Sequence, residues 1–270
     1  MPLDFAKEAI QTAEANSINF DELRAGKASI KVFGCGGCGC NMATWLFNKG
    51  INGATIYGLN PDALHLSITK ADEKLLIGKE LTRGLGCGGY PKKGREAAKE
   101  SLTDLKKAVA NSDMVFVLAG MGGGSGTGSI PVVAQLAKEA GAVVIAVVTM
   151  PFEAEKARID KAEFGLQELR ETVDTVIVLD NNRLVDIAGS LPMEQAFAVA
   201  NELVSTMIKG IVECITIPSL INLDYADVSS IMKNGDVAVI GIGEDNSNAR
   251  VDAAVQQALT HPLLDVDYRG

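Results

Sequence analysis

The chain has 270 residues, 47% hydrophobic and 22% charged, enough apolar material for one large core or a core with a smaller lobe. Its formal net charge of -9, with no basic stripe, excludes duplex nucleic acid and anionic membrane as main partners, since both need clustered Lys and Arg. The N-terminal stretch MPLDFAKEAIQTAEANS has no apolar signal core, and the longest apolar run, Ala142 to Val148, is too short to span a bilayer, so a cytoplasmic location is expected.

In chain order, residues 1–28 read as a helical N-terminal extension. From residue 29 to 180, short β-branched runs (SIKVF, ATIYGL, DMVFVLA, AVVIAVV, DTVIVL) alternate with stretches of helical spacing (NMATWLFNKG, PVVAQLAKEAG, EKARIDKAEFGLQELRETV). Strands that are apolar on both faces and separated by helices predict an α/β domain with a doubly wound parallel sheet. Gly50 and Gly141 stand where left-handed helix caps are expected. From Pro192 to about Ile215, apolar residues at Met193, Phe197, Val204, Ile208, Ile211 and Ile215 predict one long, mostly buried helix. After Pro218 come LINLDYADVSSIM, a strand-like VAVIGIG at Val237 to Gly243, and the helix ARVDAAVQQAL, too few elements for a closed second sheet. The expected organisation is a nucleotide domain over 29–190, a connecting helix over 191–216, and the start of an incomplete α+β domain over 217–270.

Three glycine loops interrupt this pattern. AGMGGGSGTGS, Ala119 to Ser129, holds six glycines in eleven residues immediately after a strand. Glycine costs roughly 0.5–1 kcal/mol relative to alanine inside an element, so the cluster implies close backbone approach. In a parallel sheet, ligands sit beyond the carboxyl ends of the strands, and a loop of consecutive amides feeding a helix N-terminus is an anion site. A second loop, FGCGGCGCN at Phe33 to Asn41, satisfies G-x-G-x-x-G through Gly34, Gly36 and Gly39, with Asp62 about twenty positions on. That arrangement leaves a nicotinamide-dependent oxidoreductase open as a rival. The third loop, GLGCGGYP at Gly84 to Pro91, has no place in the rival. Three glycine turns without a P-loop lysine point to a polyphosphate held by backbone amides with Mg²⁺.

Five cysteines, at 35, 38, 40, 87 and 214, lie in a chain without a secretion signal, so no disulfide framework is expected. The spacing CGGCGC does not supply the four ligands of a structural zinc site with only two histidines in the chain, and no metal ligand is assigned. Phe197 and Asn201 are four apart and share a helix face, where Phe197 can stack on a purine and Asn201 can pair with its edge; an amide suits guanine or adenine. Asp224 and Asp227 sit at a helix start, where carboxylates also serve as caps.

GGGSGTGS, Gly122 to Ser129, resembles the signature of the tubulin/FtsZ family, and NLDYADV, Asn222 to Val228, resembles the N-x-D-x-x-D loop of its FtsZ branch, the prokaryotic tubulin homologues. TRGLGCGG, VVTMPF and MIKGIVECI are most similar to archaeal members, and the likeness covers nearly the whole chain from Ser29. The resemblance implies a GTP-binding, GTP-hydrolysing cell-division protein that polymerises head to tail at the division site. It implies that Gly36, Gly37 and Asn41, with Gly122, Gly123, Gly124, Ser125, Gly126, Thr127 and Gly128, hold the phosphates, Thr127 supplying a hydroxyl. Gly88 and Gly89 would approach the γ-phosphate, Glu155 and Arg158 the ribose, and Asn181, Phe197 and Asn201 the base. Asn222, Asp224 and Asp227 of one subunit would act on the nucleotide of the next. The cofactors implied are GTP or GDP with Mg²⁺, and the partners are further copies of the chain and division-ring adaptors. A homologue that binds nucleotide without hydrolysing it stays open. Tyr90 and Ser125 depart from the family's usual Asn and Thr, and family members continue past Gly270 with further strands and a tail, so a truncated second domain is expected.

Overall fold

In the computed structural model, residues 28–183, 192–217, 224–233, 235–238, 241, 243–247 and 249–259 are described. Seven parallel strands form one sheet in the order β3-β2-β1-β4-β5-β6-β7. They are β1 (Ile30–Cys35), β2 (Ala54–Asn60), β3 (Glu73–Leu76), β4 (Met114–Gly120), β5 (Val143–Met150), β6 (Thr175–Asp180) and β7 (Asp236–Ala238). The order reverses between β1 and β4, which makes that junction the switch point of a doubly wound sheet, where ligands bind.

Period-2 alternation feeds two cores. Ile30, Val32, Met114, Phe116, Leu118, Ile145 and Val147 pack beneath the first helix, α1 (Gly36–Lys49), and the long helix α7 (Met193–Thr216). Phe33, Val115, Val117, Val144 and Ala146 face the opposite layer, which includes α3 (Pro91–Glu100), α4 (Leu102–Val109), α5 (Ser125–Glu139) and α6 (Ile159–Arg170). Further helices are α2 (Ala63–Ile68), α8 (Tyr225–Met232) and α9 (Arg250–Leu259), besides one helical turn at Lys79–Thr82 and a 3-10 segment at Glu153–Arg158. Gly50 and Gly141 have φ of 69° and 87°, the left-handed caps expected of them.

Two expectations change. Two of the three glycine loops are partly helical, because α1 begins at Gly36 and α5 at Ser125, inside the runs read as turns. Close packing requires it: a Cβ on Gly39 would stand 2.2 Å from the Leu118 carbonyl oxygen, and one on Gly128 2.1 Å from that of Pro91. Several of these glycines therefore bring helices against strands and against each other rather than opening toward a ligand. The strand at VAVIGIG, assigned to a separate lobe, instead pairs through residues 236–238 with Thr175–Ile177 and extends the first sheet. Asn222 and the N-terminal extension up to residue 27 lie outside the described residues.

Candidate nucleotide site

The carboxyl ends of β1, β4, β5 and β6 open into a cleft of about 470 Å³, a size that suits a nucleotide. Its floor is the first two turns of α1, with Gly37, Cys38 and Asn41, and the signature loop, with Gly123, Gly124, Ser125 and Gly126. Neither helix spends a side chain on its N-terminal amides, since no side-chain cap bonds either one. Two helix dipoles and their unpaid amides thus converge on one spot, an anion cradle. The cradle is tight. A Cβ on Gly36, whose φ is +70°, would come within 2.5 Å of the Gly126 amide nitrogen.

The third glycine loop closes against this floor. Gly84, Gly86, Gly88 and Gly89 all have positive φ, which turns the chain sharply enough to reach Gly124. A Cβ on Gly124 would meet the Tyr90 amide nitrogen at 2.7 Å. Tyr90 itself projects outward, its ring 5.7 Å from the Lys161 ammonium.

The opposite wall comes from β5, β6 and α7. The turn after β5 supplies Glu155 and Arg158, which pair at 2.7 Å, and Glu155 also accepts the Phe152 N–H at 3.2 Å. Phe197 and Asn201 line the cleft together, and the Phe197 ring packs 5.6 Å from that of Phe152 at an interplanar angle of 59°. Asn181, at the end of β6, is 7% exposed, and its Oδ1 has no hydrogen-bond partner. A buried, unpartnered acceptor costs about 1–3 kcal/mol, a cost a ligand's N–H would remove.

Some assigned residues lie elsewhere. Thr127 points away from the cradle, its methyl against Gly165 of α6, so the signature-loop hydroxyl that lines the cleft is that of Ser125. Gly36, Gly122, Gly128, Gly88 and Gly89 shape the loops without lining the cavity. Asp62 caps α2, accepting the His65 N–H at 3.0 Å, and does not line the cleft, which removes the acidic contact a dinucleotide oxidoreductase would need. Sequence reasoning missed His65, Thr149 and Cys38, all of which line the cavity. Thr149 Oγ1 and Cys38 Sγ are in contact at 3.5 Å on its wall, and burial pushes the Cys38 thiol up. No local pattern marks His65 or Thr149, and Cys38, though inside the first glycine loop, carries nothing in sequence that shows its side chain facing the cavity.

The two acidic residues stand at the other end of the sheet. Asp224 caps α8, accepting the Asp227 N–H at 2.8 Å, and both carboxylates are exposed. Tyr225 Oη anchors the helix by donating to the Asp113 carbonyl at 2.7 Å, and Asp113 precedes β4. Gly120, at the far end of β4, lines the cleft, so about 20 Å of strand separates the two places.

Residues 29–189 match the family model described as "Tubulin/FtsZ family, GTPase domain". The chain belongs to the tubulin/FtsZ family. Residues 236–270 match the model of the FtsZ C-terminal domain. The chain is 49% identical over 99% of its length, and 71% of the relative's, to cell division protein FtsZ 2 of Methanocaldococcus jannaschii. It is 54% identical to cell division protein FtsZ 1 of Archaeoglobus fulgidus, over 90% of this chain and 67% of that one. A solved M. jannaschii FtsZ dimer superposes with a TM-score of 0.88 at 51% identity, covering 93% of this chain and 74% of that chain. As a member of a GTPase family, the FtsZ-like chain takes GTP and GDP as its nucleotides. No helix among the described residues is long and apolar enough to cross a membrane.

Proposed function

We propose that the chain is a cell-division GTPase whose hydrolytic site is completed by the next subunit of a head-to-tail filament. One observation carries this reading: among the described residues lining the cleft, the only carboxylate is Glu155, already held by Arg158 and the Phe152 amide. Water attacking a γ-phosphate needs an acceptor to orient it, and Asp224 and Asp227 are exposed about 20 Å away. Stacking one copy on another brings the acidic end of the upper subunit over the cleft of the lower. Such a heterologous contact repeats into an open filament.

In this reading the amides of Gly37 and of Gly123 to Gly126 hold the phosphates, with Asn41 and the Ser125 hydroxyl beside them. Gly36, Gly88, Gly89, Gly122 and Gly128 hold the loops in register, and Glu155 and Arg158 face the ribose. Phe197 stacks on the base, while Asn181 and Asn201 read its edge. Asn181 Oδ1 needs a donor, which guanine's N1–H and N2–H₂ edge supplies. Asn222, Asp224 and Asp227 orient the attacking water in the neighbouring subunit's site. Among the described residues no group of three or more His, Cys, Asp or Glu could hold a metal, so Mg²⁺ would be carried on phosphate oxygens and water near Ser125, where it neutralises charge. The domain division at 29–190, 191–216 and 217–270 goes with this reading, except that residues 236–238 pair with β6 and belong to the first sheet, and action at the division site and recruitment by ring adaptors go with it too.

GTP turnover per molecule, measured across a range of protein concentrations with Asp224→Ala alongside, tests the proposal. Specific activity rises steeply above a threshold concentration, and the substitution abolishes it while GTP still binds. Activity that is flat with concentration, or nucleotide bound with no turnover, would sink the shared-site mechanism.

A further inference from the structure

His65 lies in α2, and its ring lines the nucleotide cleft. The backbone around it is fully employed: its N–H is capped by Asp62, and its carbonyl accepts the Thr69 N–H at 3.2 Å and the Thr69 hydroxyl at 2.9 Å. None of these bonds uses the imidazole, so local capping does not explain where the ring points.

Asn60 does. It ends β2, is 2% exposed, and its Oδ1 accepts the Asp62 N–H at 3.1 Å. That bond fixes which way the amide faces and turns Nδ2 toward His65 Nδ1, 3.3 Å away. An amide nitrogen can only donate, so Nδ1 must offer its lone pair, and the proton of the neutral ring then resides on Nε2. Nε2 is the ring atom nearest Gly37, where an added Cβ would stand 3.7 Å from it. Gly37 belongs to the first turn of α1, whose amides open into the cradle. An N–H donor is therefore held at the cradle's β2 side, while the signature loop borders it from the β4 side.

We infer that His65 is a phosphate-binding residue of the cleft: Asn60 locks it as the Nε2–H tautomer, and that N–H donates to an oxygen of the bound nucleotide's phosphates. The inference rests on the nucleotide reading above and adds a side-chain donor to a cradle otherwise built largely from backbone amides.

Long-range ¹H–¹⁵N NMR on the full chain reports the tautomer directly, because it holds only one other histidine, His261. The nucleotide-free protein shows the Nε2–H form, and GDP shifts the Nε2 resonance while guanosine, which lacks phosphate, does not. His65→Leu weakens GDP binding about tenfold, the loss of one hydrogen bond to a charged group, and leaves guanosine binding unchanged. His65→Gln, whose amide nitrogen can stand in for Nε2, restores most of the affinity. Asn60→Asp replaces the donor facing Nδ1 with an acceptor and moves the ring to a form protonated at Nδ1. An Nδ1–H tautomer in the unaltered protein, or a His65→Leu chain that binds GDP as tightly as the parent, overturns the inference and leaves the nucleotide reading intact. A parent chain that binds neither GDP nor GTP overturns both.

Discussion

Gly36 and Gly126 meet where two helix N-termini converge, so closely that a single methyl group on Gly36 would stand 2.5 Å from the Gly126 amide nitrogen. The two residues are ninety positions apart in sequence, one after β1 and one after β4, and their contact builds the anion cradle. Gly36→Ala carries two penalties: a left-handed φ of +70° and the clash itself. A loss of about 2 kcal/mol or more is expected in urea unfolding. GDP binding falls well beyond what the stability loss explains, because the amides it needs are displaced. A variant as stable as the parent would show that the two loops have slack.

Asn181 trades stability for binding. Its buried Oδ1 has no partner, so Asn181→Leu, similar in volume, removes a desolvation penalty. The nucleotide-free variant should gain about 1 kcal/mol, a rise of about 2–4 °C in Tm by calorimetry. Guanine nucleotide affinity should drop at least about tenfold. Unchanged GDP affinity would remove Asn181 from base recognition.

The shared-site mechanism predicts complementation. Asp224→Ala keeps its cleft, and Asn181→Leu keeps its acidic end, so at a GTP concentration too low to load the Asn181→Leu cleft each is inactive alone for a different reason. Mixed in equal amounts, Asn181→Leu subunits should deliver Asp224 and Asp227 to the nucleotide of Asp224→Ala subunits, and phosphate release recovers to roughly a quarter of the parent rate, the share of correctly ordered contacts in a random filament. No recovery in a mixture that still co-sediments would mean the acidic residues act within their own chain. Asp224→Ala also removes a helix cap, costing about 1 kcal/mol, so its fold must be checked by circular dichroism.

The thiols in the first glycine loop set an alkaline limit. Burial pushes Cys40 up to about 11, and Cys35 higher still, from an ordinary value of 9.0. Because the folded protein holds these protons more tightly than the unfolded chain does, their contribution is complete below about pH 9 and is lost as pH rises toward about 11. Chemical unfolding measured from pH 7.5 to pH 11 should show constant stability and then a decline, and Cys40→Ala should make that decline shallower. A stability profile identical in the variant would place the alkaline transition on other groups.

The sequence was readable where chemistry is local. Alternating β-branched runs and helical spacing specified the parallel sheet, and six glycines in eleven residues marked the signature loop. The four-residue spacing of Phe197 and Asn201 placed both on one face of α7, and both line the cleft. Loop residues were harder. Glycine signals that something comes close without saying what, and Gly128 turned out to admit α3 rather than a phosphate. Thr127 sits in the middle of the signature, yet the 100° step per helical residue turns its side chain toward α6.

The chain alone determined the element types, the glycine-built anion cradle and the family, because each depends on residues close in sequence. Tertiary structure alone decided which residues share the cleft. Thr149, His65 and Cys38 come from three strand ends, and only the parallel order of β2, β1, β4 and β5 brings them together. It also decided that 236–238 join the first sheet, since a three-residue strand carries no record of its neighbour. The separation of Asp224 from the cleft has the same origin: β4 runs from Asp113, beneath α8, to Gly120 in the cavity, and a parallel sheet places all its strand beginnings at one end and all its strand ends at the other.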